Sequence, residues 1–218
     1  MCNRYTTPDD LAMERAWGLG TKLPVFPRRE VFPRSPGLFI RRRREVAAAE
    51  LEGVVGQWGL IPWFAKEPVL KFSTNNARFE ELAQKATFKE PWKRGQRCII
   101  PAESFLEPCW ETGKNVWWSF RRIDGAPWAI AGLWNVWTDR TSGEQVESYT
   151  MLTQNADACP VFSRMHKPDP KLPADRQDKR SVVILERADF EPWLYGTQAE
   201  AAACVRLAPV DEIVAAFA

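Results

Sequence analysis

The chain has 218 residues, 45% of them hydrophobic, and a formal net charge of +2. This is enough chain for one domain or a closely fused pair with a real core, read as a single domain over residues 1–218, and the composition fits a globular protein and not a disordered one. No apolar run approaches the ~20 residues of a membrane span, and the start MCNRYTTPDD lacks a secretory pattern, so a protein of the cytoplasm or nucleus with no membrane partner is expected.

In chain order the first feature is Cys2. If Met1 is removed, this residue carries a free α-amine and a thiol on adjacent carbons. Such a pair adds to an aldehyde as a Schiff base and then closes a thiazolidine ring. A frayed, incidental terminal cysteine is the plain alternative. Thr7-Pro8-Asp9-Asp10 reads as an N-cap, a Pro at the first helical position and first-turn acids, opening a helix through Trp17. Pro24–Pro36, with four prolines, reads as an extended loop, and Arg43–Leu51 as a weak helix. Asn76–Ala86, Ala188–Tyr195 and Pro209–Phe217 read as helices. WSFRRIDGAPWAIAGLW reads as a strand, an Asp124-Gly125 turn and a returning strand; Gln145–Thr153 and Ser181–Leu185 also read as strands. Asp169–Lys179 reads as an exposed loop. Strands bunched in the middle with helices around them give an α+β class with a mainly antiparallel sheet.

The five cysteines (Cys2, Cys98, Cys109, Cys159, Cys204) form no C-x-x-C pair, which argues against a disulfide framework or a zinc site. A single histidine excludes a His-rich metal centre. No cofactor is expected, and carboxylate-bound Mg²⁺ is the one metal left open. Charge is uneven: seven arginines lie between Arg28 and Arg44, a second basic stretch runs from Arg164 to Arg180, and there are eleven tryptophans. Arginines interleaved with aromatics suit a phosphate-backbone groove with stacking platforms, while a solvated face over a Trp-rich core is the commoner cause of either alone.

Several residues could carry chemistry. His166 is the only imidazole available for proton transfer near neutral pH, although lone histidines are commonly structural. Glu107, in CIIPAESFLEPCW, follows a buried β-like run, and lost hydration there favours a proton donor or acceptor; a surface glutamate before Pro108 is the alternative. Asn76 and Arg78, in STNNARFE, sit at an expected helix start, where an amide could orient a substrate and a guanidinium bind phosphate. A simple N-cap at Asn75 or Asn76 remains the alternative. Trp58 suits the core, whereas Trp63, after Pro62 and before a charged loop, suits an exposed stacking face.

The order MCNRY, WGLIPW, NARFE, IPAESFLE, GLW, a TxxNA segment and RMH closely resembles the SRAP (SOS response-associated peptidase) family of abasic-site processing proteins, from Cys2 to about Leu194. The resemblance implies an α+β domain with a barrel-like antiparallel sheet. It also implies binding of single-stranded DNA with an abasic site, a covalent cross-link through Cys2, and autoproteolysis that exposes this cysteine. By position, Cys2 is similar to the nucleophile, Asn76 to the asparagine that positions the amine and opened sugar, Glu107 to the catalytic glutamate, and His166 to the ring-opening histidine. Arg4 and Arg78 match phosphate-holding arginines, Trp63 an aromatic at the DNA cleft, and Thr153 a threonine near the site.

The chain departs from the family pattern in three places. Asn3 replaces a glycine, two extra residues separate Glu107 from Trp110, and the histidine-arginine run is interrupted by Lys167–Lys179 if Arg180 is its arginine. The rival alignment, on Arg164-Met165, puts Phe162 at the histidine position. The expected function is therefore a monomeric cross-linker of abasic single-stranded DNA using Schiff-base, lyase-type chemistry. A cysteine peptidase or amidase built on Cys2, His166 and Glu107, and a non-enzymatic single-strand binder, stand as alternatives.

Overall fold

The structure, a computed structural model, describes residues 1–19, 24, 26, 30–44 and 50–218. The first elements are β1 (Tyr5–Thr6), α1 (Asp10–Trp17), β2 (Glu30–Val31), β3 (Pro36–Arg42), β4 (Leu51–Trp58) and β5 (Asn76–Arg78). Next come α2 (Ala86–Lys93), β6 (Arg97–Ala102), β7 (Ser104–Cys109), β8 (Val116–Arg122), β9 (Trp128–Thr138) and β10 (Gln145–Asn155). The chain continues through β11 (Arg180–Val182), β12 (Ile184–Leu185), α3 (Phe190–Tyr195), α4 (Gln198–Ala203) and β13 (Ile213–Phe217).

Strands β10, β4, β3, β6 and β9 are neighbours in that order, and β9 pairs back onto β10, so five strands close a barrel. Every pairing in the ring is antiparallel except β4 with β10. The short strands β5 and β11 extend β10, and β12 extends β9. A second sheet, ordered β13-β8-β7-β1-β2, covers one side. This is the α+β class with a mainly antiparallel, barrel-like sheet.

Strand periodicity explains the two-sided core. Alternate residues point to opposite faces of a strand, and here both faces are covered. Phe39, Ile100, Ile130 and Met151 belong to one cluster, while their strand neighbours Leu38, Ile40, Ile99, Ala129, Ala131 and Leu152 belong to the other. The first cluster also takes in the aromatics of the second sheet, with Phe105 stacked on Phe120 at 5.2 Å between ring centroids. The second includes Met13 of α1, Trp193 and Leu194 of α3 and Ala201 of α4, so these helices pack on the barrel wall. Small residues are needed inside: a Cβ on Gly132 would meet the Ile100 side chain and lie 2.6 Å from the Thr150 carbonyl.

Several expectations are corrected. The first helix starts later, because Asp9 is the cap and accepts from the Ala12 N–H at 2.8 Å. Asn76–Ala86 is not a helix: Asn76–Arg78 spend their backbone groups on β10, leaving only a 3-10 turn at Phe79–Glu81. Pro209–Phe217 ends as strand β13, its Ile213–Phe217 run paired with Arg122–Trp118, after a 3-10 turn at Val210–Glu212. The strands flanking the Asp124-Gly125 turn do not form a hairpin; β8 joins the second sheet and β9 the barrel. For the weak helix at Arg43–Leu51, residues 45–49 lie outside the described residues, and Leu51 already begins β4. Part of the Pro24–Pro36 loop likewise lies outside them, and its described part contains β2.

Part of the first arginine cluster is engaged within the fold. Arg41 is buried, donates to Glu147 at 2.9 and 3.0 Å and to Glu52 at 2.7 Å, and lies over the Trp134 ring. Arg42 covers Tyr195, Arg43 pairs with Glu50, and Arg44 also covers Trp134. These residues lie four or more positions along the chain from Gly37, where Tyr5 and Tyr149 meet, so roughly 13 Å or more away along the strand at ~3.3 Å per residue. Arg28 and Arg29 lie outside the described residues.

Candidate active site around the N-terminus

Register places the terminus. Tyr5 pairs with Phe105 and Thr6 with Ser104, and the Leu106 N–H donates to the Arg4 carbonyl at 3.0 Å. Continuing that antiparallel alignment carries residues 2 and 3 alongside Glu107 and Pro108. Residue 166 arrives from the other side: Met165 bridges Cys109, and the His166 N–H donates to the Pro108 carbonyl at 2.6 Å. A third segment comes from β5, where Asn76 Nδ2 donates to the Cys2 carbonyl at 2.7 Å.

Cys2 is fully buried, and the recorded hydrogen bond of its Sγ is to the Arg4 carbonyl at 3.5 Å. Burial pushes the thiol well above its ordinary pKa, the Glu107 charge adds to this, and the Arg4 and Leu106 backbone and the N-terminal charge oppose it only in part. The thiol is thus protonated at neutral pH. Glu107 is only 1% exposed. Its Oε2 accepts from His166 Nε2 at 2.8 Å and lies 3.5 Å from the Met1 ammonium. A carboxylate can only accept, so Nε2 carries the hydrogen and Nδ1, when the ring is neutral, is the free base nitrogen. That Nδ1 and Asn76 Oδ1 are buried without a protein partner. Two unsatisfied polar atoms at one site mark where a substrate or water would be bound.

The four residues expected to carry catalysis therefore converge: Asn76 on the Cys2 carbonyl, and His166 on Glu107 beside the terminus. The choice between the two alignments also has a physical answer. Phe162 is buried in the aromatic cluster with Phe105 and Phe120, while His166 faces Glu107.

The expected DNA contacts divide. Arg78 lies two residues from Asn76 on the same strand and hence on the same face; it is exposed and pairs with Glu81 and Asp178. It precedes the 3-10 turn Phe79–Glu81, not an α-helix. Arg4 is half-buried, pairs with Glu30 and lies over the Phe32 ring. Trp63 is 60% exposed, edge-on to Phe64. Thr153 is 1% exposed and its hydroxyl donates to the Ala77 carbonyl at 3.4 Å, so it supports β5 from behind and offers no surface to DNA.

Asn75 has only an N-cap reading in the sequence, and the structure gives it a different place. Its Nδ2 donates to the Cys2 carbonyl at 3.3 Å and to Asn3 Oδ1 at 3.0 Å, and its own carbonyl accepts from the buried Trp58 indole at 2.8 Å. The Asn-Asn doublet is the only sequence signal for it. The Asn3 departure is thereby accounted for, since its side chain has a partner. Trp110 lines an open groove of ≈ 490 Å³ that also touches His166, and Lys167 lies over its ring at 5.4 Å. Among the described residues no group of three or more His, Cys, Asp or Glu could hold a metal, and no helix is long and apolar enough to cross a membrane.

A barrel covered by a second sheet, with the chain terminus held against a buried Glu–His pair, defines a class. The chain belongs to the SOS response associated peptidase (SRAP) family, whose model matches residues 1–216. Among its curated relatives, the abasic site processing protein HMCES of Rattus norvegicus is 25% identical over 218 residues, covering 82% of this chain and 56% of that one. The abasic site processing protein YoqW of Bacillus subtilis is 30% identical over 141 residues, covering 63% and 55%. The chain thus spans little more than half the length of these relatives. Among solved structures, a Bordetella bronchiseptica protein matches with a TM-score of 0.86 at 35% identity, covering 100% of this chain and 99% of that one. A Bacteroides thetaiotaomicron protein at 20% identity and a TM-score of 0.74, covering 99% and 91%, shares the fold.

Proposed function

We propose that the chain traps abasic sites in single-stranded DNA as a covalent adduct on Cys2, after Met1 has left. The observation that carries this reading is the grip on the Cys2 carbonyl by Asn76, one residue from the Met1 ammonium that lies 3.5 Å from Glu107 of the Glu107–His166 pair. An abasic deoxyribose is a masked aldehyde. His166 and Glu107 move a proton off the C1′ hydroxyl and onto the ring oxygen, which opens the sugar. The Cys2 amine adds to C1′ and one water leaves as the imine forms. The thiol then adds across the C=N bond, sulfur to carbon and proton to nitrogen, closing the thiazolidine.

Burial raises the pKa of the Cys2 thiol while Met1 is in place; if that burial persists once Met1 has left, the amine attacks first. A protonated thiol also weighs against the peptidase reading, which needs a thiolate–imidazole pair; His166 Nε2 is on Glu107, and Nδ1 has no partner. The single-stranded backbone would lie across Arg4 and Arg78, with Trp63 offered to a base. Exposed ion pairs such as Arg4–Glu30 are weak enough to exchange for phosphates. The chain is proposed to act as a monomer in the DNA damage response.

The test is a denaturing gel of the purified protein, shown by mass to lack Met1, with an oligonucleotide carrying one abasic site. A heat-stable shifted band with wild type and none with Cys2→Ser is the expected result. An equal band from both removes Cys2 from the chemistry, and no band from either leaves non-covalent binding as the better account.

A further inference from the structure

His166 adopts a left-handed backbone, φ +64°, a region that residues with a β-carbon avoid. Its imidazole reaches Glu107 from that conformation, so whatever holds the backbone holds the pair. On the N-terminal side the hold is the Pro108 carbonyl. On the C-terminal side it is Lys179, whose Nζ donates to the Met165 carbonyl at 2.6 Å and to the His166 carbonyl at 2.7 Å. Lys179 is 7% exposed, an unusual place for an ammonium unless its donors are used. Its own N–H is fixed by Asp157 at 2.8 Å.

The geometry has a second consequence. Between His166 and Lys179 the chain makes a mostly exposed excursion, residues 168–177, and returns to the point it left. The ammonium closes the base of this loop, so its two hydrogen bonds to the Met165 and His166 carbonyls do not run through the excursion. The charged and titratable groups facing the imidazole and the ammonium are Glu107, the Met1 ammonium, Asp157 and Cys109.

We infer that Lys179 is a positioning residue: by gripping the Met165 and His166 carbonyls it keeps the His166 backbone left-handed and its Nε2 on Glu107. The activity arm of the test rests on the function proposed above, whereas the structural arm does not. Because His166 is the only histidine, its imidazole protons are unambiguous in a nitrogen-edited proton spectrum recorded without DNA.

In wild type the Nε2 proton bonded to Glu107 should be observable downfield. In Lys179→Met, shown to be folded by near-ultraviolet circular dichroism, that signal should be lost to exchange. The cross-linking rate should fall on the order of tenfold or more, with affinity for undamaged single strands within about twofold, as expected when no phosphate contact is removed. If Lys179→Met does not fold, Lys179→Gln, which keeps one donor, is measured in the same way. A short glycine linker in place of residues 168–177 should keep both signal and rate. An unchanged imidazole signal in the folded Lys179 variant overturns the proposal, as does loss of the signal in the linker variant with Lys179 intact. If wild type itself forms no cross-link, the functional reading fails and the imidazole comparison still decides the role of Lys179.

Discussion

At the scale of single residues, the site joins two carboxylate-and-imidazole tasks in one contact. Glu107 is buried, so it depends on His166 and the terminal ammonium for compensation; His166, pointed by its backbone, depends on Glu107 for orientation. Groups that act as a unit give non-additive losses. Glu107→Gln and His166→Ala are each expected to slow cross-linking by about 10²–10⁴-fold, the usual weight of a general acid or base. The double variant should be little slower than the worse single one. Single-turnover rates of the three variants check this, and simple multiplication of the two losses contradicts the pairing. Asn76 is a different kind of residue: it touches the Cys2 carbonyl and leaves Oδ1 free for the substrate.

At the scale of elements, what was legible depended on whether local pattern and tertiary pairing agreed. The strands around Asp124-Gly125 and the one from Gln145 are legible because β-branched and aromatic residues recur through them, and β9 and β10 are buried along most of their length. The sheet each joins is not, because partner choice is a long-range matter: Phe120 and Ile130, ten residues apart, end in different sheets. β5 and β13 read as helices since Ala, Glu and Gln dominate their neighbourhoods, and only pairing with β10 and β8 makes them extended. The four site residues are legible from motif order, while Asn75 and Lys179 are not, because their roles exist only in contacts across 73 residues and under a buried loop base. The barrel interior supplies a stability prediction at this scale. Gly132→Ala pushes a methyl into Ile100 and the Thr150 backbone. Overpacking of this kind costs about 1–3 kcal/mol, read as a lower urea midpoint with an unchanged slope; an unchanged midpoint contradicts the packing described.

At the scale of the whole molecule, one cluster unites the site with the barrel. Cys2, Tyr5, Cys98 and Tyr149 are all fully buried in it, and the Tyr5 and Tyr149 hydroxyls lie 2.5 Å apart. Burial raises all four above the ordinary values of 9.0 for the thiols and 10.0 for the phenols. The unfolded chain therefore loses these protons at lower pH than the folded one, and folding is favoured fully below pH 9 and progressively less above it. The slope is about 1.4 kcal/mol per pH unit for each group ionised only in the unfolded chain. Urea midpoints should fall between about pH 9 and 10.5, and less steeply in Cys98→Ala; a flat profile contradicts the burial. The same burial, where it persists once Met1 has left, keeps the Cys2 thiol protonated, which is why the account gives first attack to the amine. Bonding of both the amine and the thiol to C1′ makes the adduct a closed ring, and the most direct measurement is the intact mass of the purified cross-link before and after borohydride treatment. The account predicts protein without Met1 plus DNA minus one water, unchanged by borohydride. A gain of two hydrogens would reveal an open imine and contradict ring closure by the thiol.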